Sequence, residues 1–256
     1  MSSIVLTSAS GAPGVTTSAL GLALAWPRAS VLVDADRAAT PTVMAGYLHG
    51  QAAGAGLEAI LQAHRERSAL PEALKAIVRP LPPLPGDEAP RALLTGFTHL
   101  GAIDLFDPVW PPLLDAFEMN VEADIIIDAG RTGHRGLPDP LVREADLVVL
   151  VCRTSLIALS GLRPHLAALA AIAKVGATGL VLVGPRRPYA ADEVAEQFGV
   201  PVLAEIAWDP VAADELHAGP GGLGRRWSRS AFAVSVGRAA EALFGHLARR
   251  DQAVAS

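Results

Sequence analysis

Residues 4–26 run Ile4-Val5-Leu6-Thr7-Ser8, then Ala9-Ser10-Gly11-Ala12-Pro13-Gly14-Val15-Thr16-Thr17, and on to Trp26. The apolar start predicts a buried strand, and Thr16–Trp26 predicts a helix. A Gly-rich turn between a first strand and a helix is where α/β proteins bind phosphate. Backbone N–H groups and the helix N-terminus supply positive potential there. Against the pattern G-x-x-x-x-G-K-[ST], Gly14 and Thr16 fit. Val15 stands where the lysine belongs, and Ala9 where the first glycine belongs. Taken alone, the segment has two readings: a degenerate phosphate loop, or a tight strand-to-helix turn with Thr16 near the N-cap.

Outward from this loop the chain keeps alternating. Apolar, β-branched runs recur at Ser30–Asp34, Ala92–Thr95, Asp124–Asp128, Asp146–Cys152, Gly179–Val183 and Pro201–Ile206. Helical patterns lie between them at Leu57–Arg67, Pro71–Val78, Trp110–Phe117, Leu159–Lys174 and Ala191–Phe198. Continuous apolar strands alternating with helices predict a doubly wound, largely parallel seven-stranded sheet with helices on both faces. The proline-rich stretch Arg79–Pro90 excludes regular helix and central strand, and is expected to be a surface connection. In the last helix, about Ser230–Arg250, the spacing of Phe232, Val236, Ala239, Leu243 and Leu247 predicts a core-facing stripe.

The totals agree with one domain spanning residues 1–256. Apolar residues make up 51 % and charged residues 18 %, which argues for a large buried fraction and against disorder. The single cysteine, Cys152, excludes an internal disulfide and sits in an apolar strand pattern. The start MSSIVLTSAS lacks the features of a signal peptide, and no apolar run has spanning length. A cytoplasmic protein is expected. The histidines show no metal-ligand spacing, so no metal beyond magnesium is expected.

With these elements in place, the segment TSASGAPGVTTSALGLALA resembles the deviant phosphate loop of the ParA/MinD family of P-loop ATPases, roughly K-G-G-V-G-K-T-T. In that alignment Gly11, Gly14, Thr16 and Thr17 match. Ser10 replaces the family's signature lysine, Ala12 a glycine, Pro13 a valine and Val15 the phosphate-gripping lysine. Val33-Asp34-Ala35-Asp36 resembles the D-x-D switch, whose second aspartate positions the attacking water. Ala123–Gly130 resembles the Walker B strand ending in Asp128, and Ile206–Pro210 stands where the family has Ile-Pro-x-Asp. The resemblance implies nucleotide contact by residues 10, 11 and 14–17, with Asp34 and Asp128. It also implies magnesium at Thr16 and Asp128, and catalysis through Asp36 in an active member.

The departures point the other way. A P-loop lysine neutralises phosphate charge as phosphoryl transfer proceeds, and valine cannot. Each lost charged hydrogen bond costs ~1.5–3 kcal/mol. Two losses weaken nucleotide binding by roughly two to four decades. Arginine outnumbers lysine 19 to 2, so compositional drift would have supplied arginine, yet the replacements are serine and valine. Arg37 and Arg131 are the candidate substitutes. Their alternative is to be solvated or paired with Asp34, Asp36 or Asp128. No asparagine follows the Gly179–Val183 strand to read a purine; Gly184-Pro185-Arg186-Arg187-Pro188 stands there.

The expected cofactor is therefore none, or weakly bound ATP with magnesium. Three functions are in play. The first is a non-catalytic positioning or docking protein for cell-division, partition, pilus or secretion machinery, as in TadZ/CpaE-like relatives. The second is a weak ATPase rescued by arginine. The third is a partition protein gripping nucleic acid through Arg225, Arg226 and Arg229, with Arg249 and Arg250 on the same face. A neutral loop also predicts a homodimer that forms without nucleotide, with a monomer as the alternative. Too few residues follow Arg250 for a membrane-targeting tail like that of MinD.

Overall fold

The computed structural model describes residues 1–11, 13–51, 56–120 and 122–255. Ala12 of the loop lies outside the described residues. The strands are β1 (Ser3–Ser8), β2 (Ser30–Asp34), β3 (Arg79–Pro80), β4 (Arg91–Leu94), β5 (Asp124–Arg131), β6 (Leu147–Arg153), β7 (Thr178–Val183) and β8 (Val202–Ile206). They form one sheet in the order β3-β4-β2-β5-β1-β6-β7-β8. All neighbours pair in parallel except β3 with β4. The strand beyond the expected seven is β3, inside the proline-rich stretch. It tolerates Pro80 because it lies on the sheet's edge, where one missing N–H need not break a ladder.

The helices are α1 (Val15–Ala25), α2 (Thr42–Ala45), α3 (Gly56–Arg65), α4 (Leu70–Ile77), α5 (Leu100–Ile103), α6 (Trp110–Asn120) and α7 (Asp139–Glu144). They continue with α8 (Leu156–Ser160), α9 (Leu162–Ala170), α10 (Ala191–Phe198), α11 (Pro210–His217) and α12 (Ala231–Ala255). Three of them, α2, α5 and α7, are too short to show a helical period in sequence, and sequence reading missed α11 as well. The helix expected over Leu159–Lys174 is divided at Gly161. Glycine holds a helix weakly, and Ser10 lies close by: a Cβ on Gly161 would come 3.3 Å from its hydroxyl oxygen. Among the described residues, no helix is long and apolar enough to cross a membrane.

Two apolar layers cover the sheet. One joins Ile4, Leu6, Leu20 and Leu24 to the α12 stripe of Phe232, Val236, Ala239, Leu243 and Leu247, all buried. The other joins Val5, Ile125 and Ile127 to Leu57, Leu74, Phe117, Leu166 and Val194. At the entry of β5, fully buried Asp124 ties the layers to the N-terminus. Its carboxylate accepts from the Ser2 amide at 2.8 Å, Trp26 Nε1 at 2.8 Å and Arg28 Nε at 2.6 Å, and also pairs with Arg28 Nη2.

Candidate functional site

The C-terminal ends of β1, β2 and β5 open into a cavity of about 730 Å³, where open α/β sheets bind ligands. Its lining includes Gly11, Pro13, Gly14, Val15, Thr16 and Thr17. Gly14 is the N-cap of α1 with φ 93°, a conformation that favours glycine. With no side chain there, no side-chain cap forms, and the first turn holds no acidic residue. The first intrahelical bond runs from the Ser18 amide to the Gly14 carbonyl at 2.8 Å, so the amides of residues 15–17 precede the helical ladder and border the cavity. Pro13 is buried and contributes no N–H.

The two lysine positions have separate fates. Val15 is 7 % exposed and belongs to the apolar layer of α1 and α12. Ser10 is exposed, sits against Gly161 and is not part of the cavity wall. Thr17 Oγ1 lies 2.8 Å from Nε2 of His217, a residue of α11 that also lines the cavity. Burial lowers the His217 pKa, against the pull of Asp214. Sequence reading missed His217, because 200 residues separate it from Thr17 and only the fold joins them.

The carboxylates meet at one point. Asp34 and Asp128 are register partners on β2 and β5. Burial, then the charge of Asp128, pushes Asp34 up to about 8. Burial likewise raises Asp128 to about 6, while the Thr16 hydroxyl and Gly130 amide pull it down. The Gly130 amide donates to Asp128 Oδ1 at 3.0 Å, and Asp128 Oδ2 is buried without a partner among the described residues. Asp36 folds over Gly130, where a Cβ would come 2.1 Å from its Oδ1, and that oxygen accepts from the Ala38 amide at 2.9 Å. Asp36 also lines the cavity.

The far wall is basic. Arg37 Nη1 donates to the Gly136 carbonyl at 2.8 Å, and Arg37 Nη2 pairs with Asp104 at 3.5 Å. Asp104 also holds Arg135, at 3.1 Å. Arg37 therefore pairs with none of the three acids named as its alternatives. Arg131 ends β5 as an exposed cavity-lining residue, with no hydrogen bond or ion pair among the described residues. Asp104 and Arg135 carried no signal in the sequence, lying outside every motif.

A smaller cavity of about 220 Å³ shares Pro13, Gly14 and Thr17 with the first and continues to Trp208 and Asp214. Arg153 stacks on the Trp208 ring at 3.9 Å. The Gly184–Arg187 loop is pinned by Thr154, whose hydroxyl donates to the Gly184 carbonyl at 2.8 Å and accepts from the Arg187 amide at 2.9 Å. Cys152 is buried in β6, and burial pushes its thiol up to about 12.

The C-terminal arginines do not make one face. Arg225, Arg226 and Arg229 are exposed around buried Trp227, whose Nε1 donates to the Ala212 carbonyl at 2.8 Å. Arg249 and Arg250 lie about 20 residues further along α12, roughly 30 Å away at ~1.5 Å per residue. There Arg250 donates to the Val175 carbonyl at 3.3 Å.

Thr16, Asp128 and the orphaned Asp128 Oδ2 suit a hard cation with oxygen ligands such as magnesium. The charged grip on a triphosphate is not matched from the loop, since neither Ser10 nor Val15 brings a cation.

No protein-family model and no curated protein matches this chain. Solved structures do. A ParA family ATPase from Chlorobium tepidum TLS superposes with a TM-score of 0.73 at 19 % identity, covering 93 % of this chain and 98 % of that one. MinD in the MinC:MinD cell division complex of Aquifex aeolicus gives 0.68 at 15 % identity, covering 96 % of each chain. A plasmid partition protein of Borrelia burgdorferi bound to AMPPNP gives 0.66 at 13 % identity, covering 96 % and 99 %. The fold is that of the ParA/MinD ATPases.

Proposed function

We propose that this chain is a non-hydrolysing ParA/MinD-like protein that works as a positioning or docking scaffold. The observation that carries the reading is Val15: the residue at the phosphate-gripping position is packed into the core. Ser10 lies outside the cavity wall, so the loop offers amides and hydroxyls but no charge to a developing transition state. Any nucleotide is held weakly. The test is ATP binding by calorimetry with magnesium. Micromolar affinity together with steady turnover would defeat the reading.

Retention of Thr16 and Asp36 in the cavity wall, with buried Asp128 behind Thr16, favours a second reading, a weak ATPase. Steady phosphate release that disappears in Asp36→Ala would select it.

A scaffold needs a surface, and the cavity edge is suited to one. Leu100 and Leu105 after β4, Leu156 and Ile157 after β6, and Trp208 and Val211 after β8 are exposed large apolar residues. All follow the C-terminal ends of strands, on the edge that carries the neutral loop. We assign this edge to a homodimer that forms without nucleotide, since closing it desolvates no charge at Ser10 or Val15. Sedimentation should give a dimer with and without ATP and magnesium. A monomer in both conditions, or a dimer only with ATP, would contradict the assignment.

A further inference from the structure

We propose that Arg131 is the residue that meets a phosphate group at this cavity, as the cation that the loop lacks. This rests on the non-hydrolysing reading only in assigning no turnover to the bound ligand.

Three independent observations converge. The amides of residues 15–17 open onto the cavity from an uncapped helix N-terminus, with Gly14 giving them no side-chain acceptor. Donors in that position take an anion. Next, Ser8 lines the same cavity, is fully buried, and its hydroxyl has no hydrogen-bond partner among the described residues. A buried hydroxyl left unpaired is costly, and a bound oxyanion would satisfy it. Finally, Arg131 is the register partner of Ser8 across the β1/β5 pair, so the fold places the two side by side. Its guanidinium has no ion pair among the described residues, whereas Arg37 and Arg135 are held by Asp104. A planar guanidinium recognises a phosphate through two parallel hydrogen bonds, a geometry that lysine lacks.

Among the lining residues Arg37, Arg131 and Arg135 stand with Asp36 and Asp104, and of the three arginines Arg131 is the one that no acid holds among the described residues. The phosphate could be free or the terminal group of a nucleotide, and the chemistry is the same. In the loop that this one resembles, the phosphate-gripping lysine stands at the position of Val15, where the helix begins. Here the cation comes from the end of a central strand instead, because Val15 has been committed to the core.

The experiment titrates the full chain with inorganic phosphate, pyrophosphate or ATP without magnesium, following heat or tryptophan fluorescence at constant ionic strength. Saturable phosphate binding is expected. Arg131→Ala should weaken it about ten- to a hundredfold, Arg131→Lys should restore part of it, and Arg225→Ala should leave it unchanged. Arg131 is exposed, so its removal should leave the melting temperature in place; Ser8→Ala gives a second, smaller loss at the same site. Equal affinity for phosphate and ATP supports a free oxyanion, and much tighter ATP binding supports a nucleotide's phosphate. Absence of saturable phosphate binding, or equal losses in Arg131→Ala and Arg225→Ala, overturns the proposal. Phosphate release from ATP would instead overturn the non-hydrolysing reading and leave the site standing.

Discussion

Strand β5 carries two buried aspartates four residues apart, and their surroundings are opposite. Asp124 at its entry is fully hydrogen-bonded by Ser2, Trp26 and Arg28. Asp128 at its exit keeps one oxygen unpaired and faces Asp34 across the β2/β5 register. Both are buried charges of the same kind on the same strand. The first is satisfied from within and therefore braces the fold. The second is left short of donors beside the charge of Asp36, which costs stability and is expected where a ligand completes the set. The difference separates structure from site without reference to any motif.

The largest effect should come from the satisfied end. Asp124→Ala strands the Trp26 N–H and the Ser2 amide in the interior, each worth ~1–3 kcal/mol when orphaned. Arg28 is half exposed and recovers water, so its share is small. Denaturant unfolding should show a loss of about 3 kcal/mol. A loss below about 1 kcal/mol would remove the contrast.

At the exit end the sign reverses. The folded chain holds a proton on Asp34 between the ordinary 3.8 and about 8, where the unfolded chain has released it. Stability therefore falls as pH rises through that window and levels above it. Asp34→Asn should flatten the decline and raise stability near pH 9 by on the order of 1 kcal/mol. Melting curves from pH 6 to 9 read this directly, and a variant less stable than the wild type at pH 9 would contradict it. The smallest effect belongs to Ser8→Ala, which removes an unpartnered hydroxyl and should change stability by under about 0.5 kcal/mol without added phosphate.

Much of the fold was legible because buried parallel strands write themselves as continuous apolar runs, and the β1 loop could be placed from Gly14 and the two threonines. The eighth strand was hidden because two residues, one of them Pro80, carry no alternation. Gly161 dividing α8 from α9 became intelligible only once Ser10 was seen against it. Of the site, the loop and the three aspartates followed from motif spacing. His217, Asp104 and Arg135 did not, since tertiary packing alone brings them to the cavity. The separation of Arg225 and Arg226 from Arg249 and Arg250 follows from α12 being a single long rod that starts after the first pair and carries the second near its far end.

We propose that a cavity with the ParA/MinD fold has kept its acids and lacks the charge needed to turn ATP over. The most direct measurement is phosphate release from ATP and magnesium by the purified chain, beside its Asp36→Ala variant. Release at the buffer rate is expected from both. Steady turnover by the wild type that vanishes in Asp36→Ala would contradict it.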